Sequence, residues 1–435
     1  MKILMMTNTY TPHIGGVARS VETFTQEYRA RGHDVLVVAP TYENMPDKEE
    51  GTFRVPAIQN FNGSDFSVAL PFPADLQRAI QKFAPDIVHS HHPFLIGSTA
   101  VRIAHLYEIP LVFTHHTRYE EYTHYAPGDS PPLKRFIVRL STSYANLCDQ
   151  VFAPSESIAK LLRQRGVESP IEVVPTGVNL ERFQEGSGAG LRQAVGIPEQ
   201  AFVVGHIGRL APEKNLPYLA RAVVQFLKNA PNAHFLVVGE GASERDIRKI
   251  ARNADVSDRV HLLGALDHPL LASAYQAINV FAFASQTETQ GMVLTEAMAV
   301  GTPVVAISGP GVDEIVDDGS NGRLLASNAS AQSFADALDG LSRRETKEFE
   351  RMCDAARETA RSYAIDNCVD RALGIYDKLV GKEPVKKPNA YNLWTAAQRF
   401  IEAEWDVFRN VADAAGAALK SNQGRTRLSK RKKSG

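Results

Sequence analysis

The feature that most constrains this chain is a rhythm. Short apolar runs of strand length alternate with longer stretches in which apolar residues recur every three or four positions. "KILMMTN" leads into a helical stretch ending at Gly32, with Val21, Phe24 and Tyr28 on one face; "DVLVVAP", "DLQRAIQKF", "DIVHSHH", a further helix and "PLVFTHHT" follow. Such alternation implies a parallel sheet covered by helices on both faces. After the irregular "GVNLERFQEGSGAG" the rhythm resumes with "FVVGHIGR", "LPYLARAVVQFLKNA", "AHFLVVGEG", "VHLLGAL", "NVFAFAS" and "TPVVAIS". A chain of 435 residues exceeds what one core usually serves, so two α/β domains joined near residues 180–195 are expected.

Composition removes several other classes. The hydrophobic and charged fractions, 44% and 22%, are those of a soluble globular protein. No apolar run approaches the ~20 residues of a membrane-spanning helix. The start "MKILMMTNTYTP" breaks at once into polar residues, unlike a secretory signal, so a cytoplasmic protein is expected. Cys148, Cys353 and Cys368 lack metal-like spacing and are read as packing residues. Charge is unevenly spread: the whole chain carries -1, yet seven basic and no acidic residues lie from Lys420 onward, which leaves the rest at -8. A basic tail on an acidic body points to an anionic surface as partner.

Open parallel sheets bind ligands beyond the carboxyl ends of their strands. The chemically informative residues fall just after strand-like runs. "TPHIGGVA", with Gly15 and Gly16, follows the first; "HHT", with His115 and His116, follows "PLVFT"; "GRLAPEKN" follows "FVVGHI". In "ETQGMVLTE", Glu288 and Glu296 flank a helix start near Gly291. Arg209 and Lys214 can bring two positive charges to one anion, and the helix N-terminus can add backbone N–H groups. That set suits a diphosphate, with Glu296 as a bidentate acceptor for a ribose diol and Glu288 facing a cleft.

Competing readings of the same residues are weaker. Seven histidines, His89, His91, His92, His105, His115, His116 and His124, crowd one region, but without helical His-x3-His spacing, and neighbours on a strand point to opposite faces. "VGEGASE" imitates a dinucleotide fingerprint but places Glu244 where the third glycine belongs. The bland alternatives are solvated charges for Arg209 and Lys214, an exposed acidic helix start for Glu288 and Glu296, a tight turn for Gly15 and Gly16, and a packed ring for His115.

Taken in order, "GGVARSVE", "HHT", "VPTGVN", "GRLAPEKN", "VGEG" and "ETQGMVLTE" resemble the motif series of retaining glycosyltransferases of the GT-B fold, family 4, over roughly residues 1–380. The resemblance implies two Rossmann-like domains facing across a cleft. Residues 1–185 form the acceptor domain, completed by a helix at about 366–382; residues 186–365 bind the nucleotide sugar; residues 383–435 add a linker, an amphipathic helix and a polybasic tail. It further implies that Arg209 and Lys214 hold the diphosphate, Glu288 the transferred sugar and Glu296 the ribose. Backbone groups of Gly291, Met292 and Val293 meet sugar or phosphate, Gly15 and Gly16 let their loop approach the diphosphate, and His116 lines the reaction centre beside His115. The catalytic set is then His116, Glu288, Arg209 and Lys214. No cofactor or metal is expected, in keeping with the lack of any Asp-x-Asp pair.

For the acceptor, "THHTRYEEYTHY" places Tyr119, Tyr122 and Tyr125 near that centre, and with "TETQGMVLTEAM" it resembles the diacylglycerol glucosyltransferases of the family. "PPLKRFIVRLSTSYANLC" patterns as an amphipathic helix, with Leu133, Phe136, Ile137, Leu140, Tyr144 and Leu147 on one face and Lys134, Arg135 and Arg139 elsewhere. It serves either a membrane contact or the core. A second amphipathic stretch around Trp394 and Trp405 precedes the basic end. Membrane docking, packing on the body and nucleic-acid binding are weighed for it, the first being favoured and the last not expected. The expected activity is transfer of glucose from UDP-glucose to diacylglycerol or a related lipid, at the inner face of the plasma membrane. The alternatives are GDP-mannose transfer to phosphatidylinositol or another acceptor, a UDP-sugar epimerase of the same architecture, and a non-enzymatic sugar-nucleotide-binding module.

Overall fold

The structure, a computed structural model, describes residues 1–13, 15–42, 45, 49–58, 68–69, 74–121 and 130–381. Tyr122, Tyr125 and the linker, helix and tail expected over 383–435 lie outside these residues. The chain divides into two compact units: Met1–Val174 with the chain from Val369 onward, and Pro175–Cys368.

Unit 1 is built on a parallel sheet. Its strands are β1 (Lys2–Met6), β2 (Asp34–Pro40), β3 (Thr52–Val55), β6 (Ile87–Ser90), β7 (Leu111–Thr114), β8 (Gln150–Ala153) and β9 (Ile171–Val173), with a short β4/β5 pair at Ala57–Ile58 and Val68–Ala69. Helices α1 (Gly16–Ala30), α2 (Ala74–Phe83), α3 (Ile96–Tyr107), α4 (Pro131–Ala145) and α5 (Glu156–Gln164) connect them. The order is β3-β2-β1-β6-β7-β8-β9, so the chain switches direction across the sheet between β1 and β6. Helix α1 buries Val21, Phe24 and Tyr28, the stripe expected from its periodicity. Ser130 caps α4 and Ser155 caps α5, each side chain accepting a bond from the backbone N–H three residues on.

Unit 2 repeats the plan. Its elements are α6 (Gly188–Ala194), β10 (Phe202–Ile207), α7 (Leu216–Asn229), β11 (Ala233–Val238), α8 (Glu244–Asn253), β12 (Val260–Leu262), α9 (Leu270–Gln276), β13 (Val280–Phe283), α10 (Met292–Ala299), β14 (Val304–Ile307), β15 (Gly322–Leu325), α11 (Ala331–Ser342) and α12 (Thr346–Ser362). The parallel order is β12-β11-β10-β13-β14-β15, with the switch between β10 and β13. Side chains alternate between two buried faces, as a doubly covered sheet requires. Val280 and Ala282 of β13 join one core with Phe235 and Val237, while Phe281 and Phe283 join the other with Leu236 and Val238.

The first boundary falls at Val174, earlier than residue 185. Residues after it are bound into unit 2: Val178 donates to Tyr363 O at 2.8 Å, Ile365 donates back to Val178 O at 3.0 Å, and Phe183 lies in the core. The irregular "GVNLERFQEGSGAG" therefore belongs to the second unit instead of forming a linker. The last described helix, α13 (Ile365–Val380), belongs to unit 1 from Val369 on. There Tyr28 donates to the Tyr376 hydroxyl at 3.2 Å, Tyr376 donates to His89 Nδ1 at 2.5 Å, and His89 Nε2 is left to donate to Thr114 Oγ1 at 2.7 Å. Burial holds His89 neutral, its pKa pushed down to about 3.

Cys148 and Cys368 are buried, Cys353 is half-buried, and no disulfide joins any of them. No helix among the described residues is long and apolar enough to cross a membrane.

Tyr376→Phe keeps the ring stacked on Phe152 but leaves the His89 and Tyr28 groups without their bridge. It should cost about 1–3 kcal/mol in urea unfolding; unchanged stability would contradict this account of how α13 is anchored.

Candidate active site

In unit 2 the loops after β10 and β13, the strands at the switch, carry the charged residues. The β10 loop presents Arg209 and then a 3-10 turn, Pro212–Lys214. The β13 loop runs to Gly291, which caps α10. Lys214 Nζ donates across the two loops to Glu288 Oε1 at 2.5 Å. The side chains are 19% and 15% exposed. Burial alone would favour the neutral carboxyl of Glu288. The Lys214 charge and hydrogen bond, helped by the Ser285 hydroxyl, outweigh it and hold the group below the ordinary glutamate range. Arg209 Nη2 donates to Glu213 Oε1 at 2.5 Å. His206, under the same loops, is kept neutral by burial, its pKa pushed down to about 4, so it adds no charge there.

Backbone geometry holds these loops in place. Gly291 sits in the left-handed region at φ 78°, which a side chain would strain, and turns the chain into α10. Met292 and Val293 follow in the first helical turn, where backbone N–H groups point outward without i−4 partners. Gln290 is buried, and its carboxamide is taken up by one residue: Thr176 N donates to its Oε1 at 2.7 Å, and its Nε2 donates to Thr176 O at 2.6 Å. It ties "VPTG" to "ETQG". Gly239, at φ 130°, lies where a Cβ would strike Gly208 O. The G-x-G spacing therefore lets the 239–241 loop lie against the Arg209 loop, with Leu210 N donating to Glu240 O at 2.7 Å.

Glu296 is more enclosed than its sequence position implies. It is 5% exposed, and its Oε2 accepts the Tyr275 hydroxyl at 2.6 Å. One oxygen of the pair expected to grip a diol is already engaged inside the unit.

In unit 1, Gly15 caps α1 in extended conformation and Gly16 opens the helix with unobstructed space around it. A Cβ on Gly15 would approach the His13 ring at 3.1 Å. The adjacent histidines separate by environment. His115 is fully buried, edge-on to Phe113 and Tyr119, with neither ring nitrogen hydrogen-bonded among the described residues. His116 is half-buried, and its Nε2 lies 2.8 Å from Nδ1 of the buried His91. His115 is thus a packed ring, and His116 is the more exposed of the two. Tyr119 points its hydroxyl inward, its ring against Phe94, which removes that hydroxyl from any surface role. On α4, Tyr144 is buried, whereas Leu133, Phe136, Ile137 and Leu140 are half-buried beside half-buried Lys134 and Arg135 and exposed Arg139.

Family profiles match nearly all of this framework. Residues 14–182 match Glycosyltransferase Family 4, and residues 190–360 match Glycosyl transferases group 1. A D-inositol 3-phosphate glycosyltransferase of Mycolicibacterium paratuberculosis is 31% identical over 71% of this chain and 71% of its own. The chain belongs to glycosyltransferase family 4. An alpha-monoglucosyldiacylglycerol synthase of Acholeplasma laidlawii is 29% identical over 75% of this glycosyltransferase and 85% of its own length. Among solved structures, Anabaena HepE in complex with UDP-glucose superposes with a TM-score of 0.69 at 21% identity, covering 87% of this chain and 100% of that one, which places both in the GT-B fold.

Several residues that shape this glycosyltransferase's charged loops were not singled out by the sequence. These are Glu213, Ser285 and Tyr275, the last 21 residues from Glu296 in sequence. The one available signal was the acid between Pro212 and Lys214, inside a motif otherwise read for its cations.

Lys214→Met should reverse the Glu288 shift, since burial, the largest influence, then loses its main opponent and faces chiefly the Ser285 hydroxyl. In the wild type, the folded carboxyl lies below its unfolded value, so its stabilising contribution is present above the ordinary glutamate range and is lost as pH falls. In the variant the sign inverts, and stability is regained as pH falls. Unfolding midpoints followed across acid pH for wild type, K214M and E288Q test this; parallel profiles for wild type and K214M would refute the pairing.

Proposed function

We propose that this glycosyltransferase moves glucose from UDP-glucose, with retention and without a metal ion, onto the hydroxyl of diacylglycerol or a closely related membrane lipid. The observation that carries the donor half is the ionised Lys214–Glu288 pair beside Arg209 at the β10–β13 switch. On this reading Arg209 and Lys214 meet the diphosphate together with the N–H groups of Gly291, Met292 and Val293, and Glu288 turns to the sugar hydroxyls. Glu296 offers the ribose what its bond to Tyr275 leaves. Breaking the anomeric C–O bond puts negative charge on the departing phosphate, where the two fixed cations are worth most. The acceptor oxygen bonds to the anomeric carbon on the face the phosphate leaves, and a phosphate oxygen takes the acceptor proton.

The lipid half is supported by the named substrate class of the Acholeplasma relative and by α4. Half-buried apolar residues next to Lys134, Arg135 and Arg139 suit a peripheral contact with an anionic inner leaflet, and the seven basic residues from Lys420 onward add to it. Tyr119, with its buried hydroxyl, contributes packing to this side. A second reading, a phosphorylated inositol acceptor, is favoured by the 31% identity of the mycobacterial relative.

Radiolabelled UDP-glucose incubated with diacylglycerol in anionic micelles and EDTA should give organic-phase label. Parallel arms carry GDP-mannose as donor and inositol 3-phosphate as acceptor. Label only in the aqueous inositol product, or only from GDP-mannose, would overturn the lipid or the donor assignment respectively. Glu288→Gln and Lys214→Ala should lower the productive rate roughly 100-fold or more when assayed below each variant's own unfolding transition; undiminished rates would remove both from the donor site.

A further inference from the structure

Arg209 and Lys214 are not equivalent in their surroundings. Lys214 pairs with Glu288, a group that has its own work on the sugar in the proposed reaction. Arg209 pairs with Glu213, which the mechanism does not use. The Glu213 side chain is 5% exposed while the Arg209 side chain is 37% exposed, so the acid is the fixed member and the guanidinium the reaching one. Glu213 sits in the 3-10 turn Pro212–Lys214, closed by Lys214 N donating to Ala211 O at 3.0 Å and Asn215 N donating to Pro212 O at 3.1 Å. Its own carbonyl accepts the Ser285 hydroxyl from the β13 loop at 3.4 Å, so the turn is tied to both sides of the switch.

A carboxylate next to a diphosphate site works against anion binding through its charge. Its presence there makes physical sense if it supplies geometry worth more than that repulsion. Arginine is the cation for which this holds: its fork is planar, and gripping one end sets the direction of every other N–H. An ammonium such as Lys214 has no such plane to fix.

We propose that Glu213 is a positioning residue, holding the Nη2 end of Arg209 so that the guanidinium plane presents its remaining N–H groups to the donor's diphosphate. The inference rests on the donor-site reading above. It does not require Glu213 to touch the substrate.

The test is a double-mutant cycle on the full chain, with UDP as probe and its Kd read by calorimetry in EDTA, so that no acceptor is needed. Arg209→Ala should weaken UDP binding. Glu213→Ala should weaken it about tenfold, the scale on which residues that orient a ligating group act. Glu213→Gln, isosteric and still an acceptor for Nη2, should stay within about threefold of wild type and, by its thermal midpoint, show that the turn folds. In the Arg209→Ala background, Glu213→Ala should add nothing, because it acts only through the arginine. If Arg209→Ala leaves UDP affinity unchanged, the diphosphate reading itself fails. If Arg209→Ala weakens binding but Glu213→Ala tightens it, matches Glu213→Gln, or weakens it equally without Arg209, the positioning role alone is overturned.

Discussion

Parallel strand pairing forces every carboxyl end of a sheet to one edge, and where the strand order reverses, two neighbouring loops diverge and leave room between them. Both units obey this constraint, with reversals at β1/β6 and β10/β13. The charged and glycine-bearing motifs follow from it. Gly15, at the start of α1, and the His91–His116 pair lie on loops after β1, β6 and β7. Arg209, Lys214 and Glu288 lie on loops after β10 and β13. In each case the sheet is the rigid element, and the loops carry the chemistry.

What distinguishes unit 2 is that its cations do not stand alone. Lys214 and Arg209 each face a carboxylate at 2.5 Å, and the acids are more buried than the bases they hold. Two cations on one loop would repel each other in the free protein; the two acids offset that repulsion. On the proposed donor reading, binding an anion there would be an exchange of partners at Lys214 and an addition at Arg209. Hydrogen bonds fasten these loops to their neighbours, Gln290 to Thr176 in the interior and Leu210 to the Glu240 backbone.

The sequence announced the architecture well because alternation and helical periodicity are local signals. Val21, Phe24 and Tyr28 could be placed on one face of α1 from spacing alone, and the motif order gave the family. Partnerships made across long sequence distances left no such trace. Gln290 meets Thr176 across 114 residues and Tyr376 meets His89 across 287, and nothing near either residue foretells the pairing. For the same reason the boundary at Val174 was placed late: "GVNLERFQEGSGAG" lacks periodicity, yet its backbone is claimed by Tyr363 and Ile365. Glu213 was overlooked for a different reason, since an acid between two cations is usually a solvated charge, and only burial marks it as fixed.

The central claim is that the loops at the β10–β13 switch hold a nucleoside diphosphate by fixed cations and helix N–H groups. Hydrogen exchange read by mass spectrometry, with and without UDP and with EDTA present, tests it most directly. The account predicts new protection concentrated in peptides spanning 208–215 and 285–294, with the rest of unit 2 little changed. UDP binding that protects other segments of unit 2 and leaves those two untouched would contradict it.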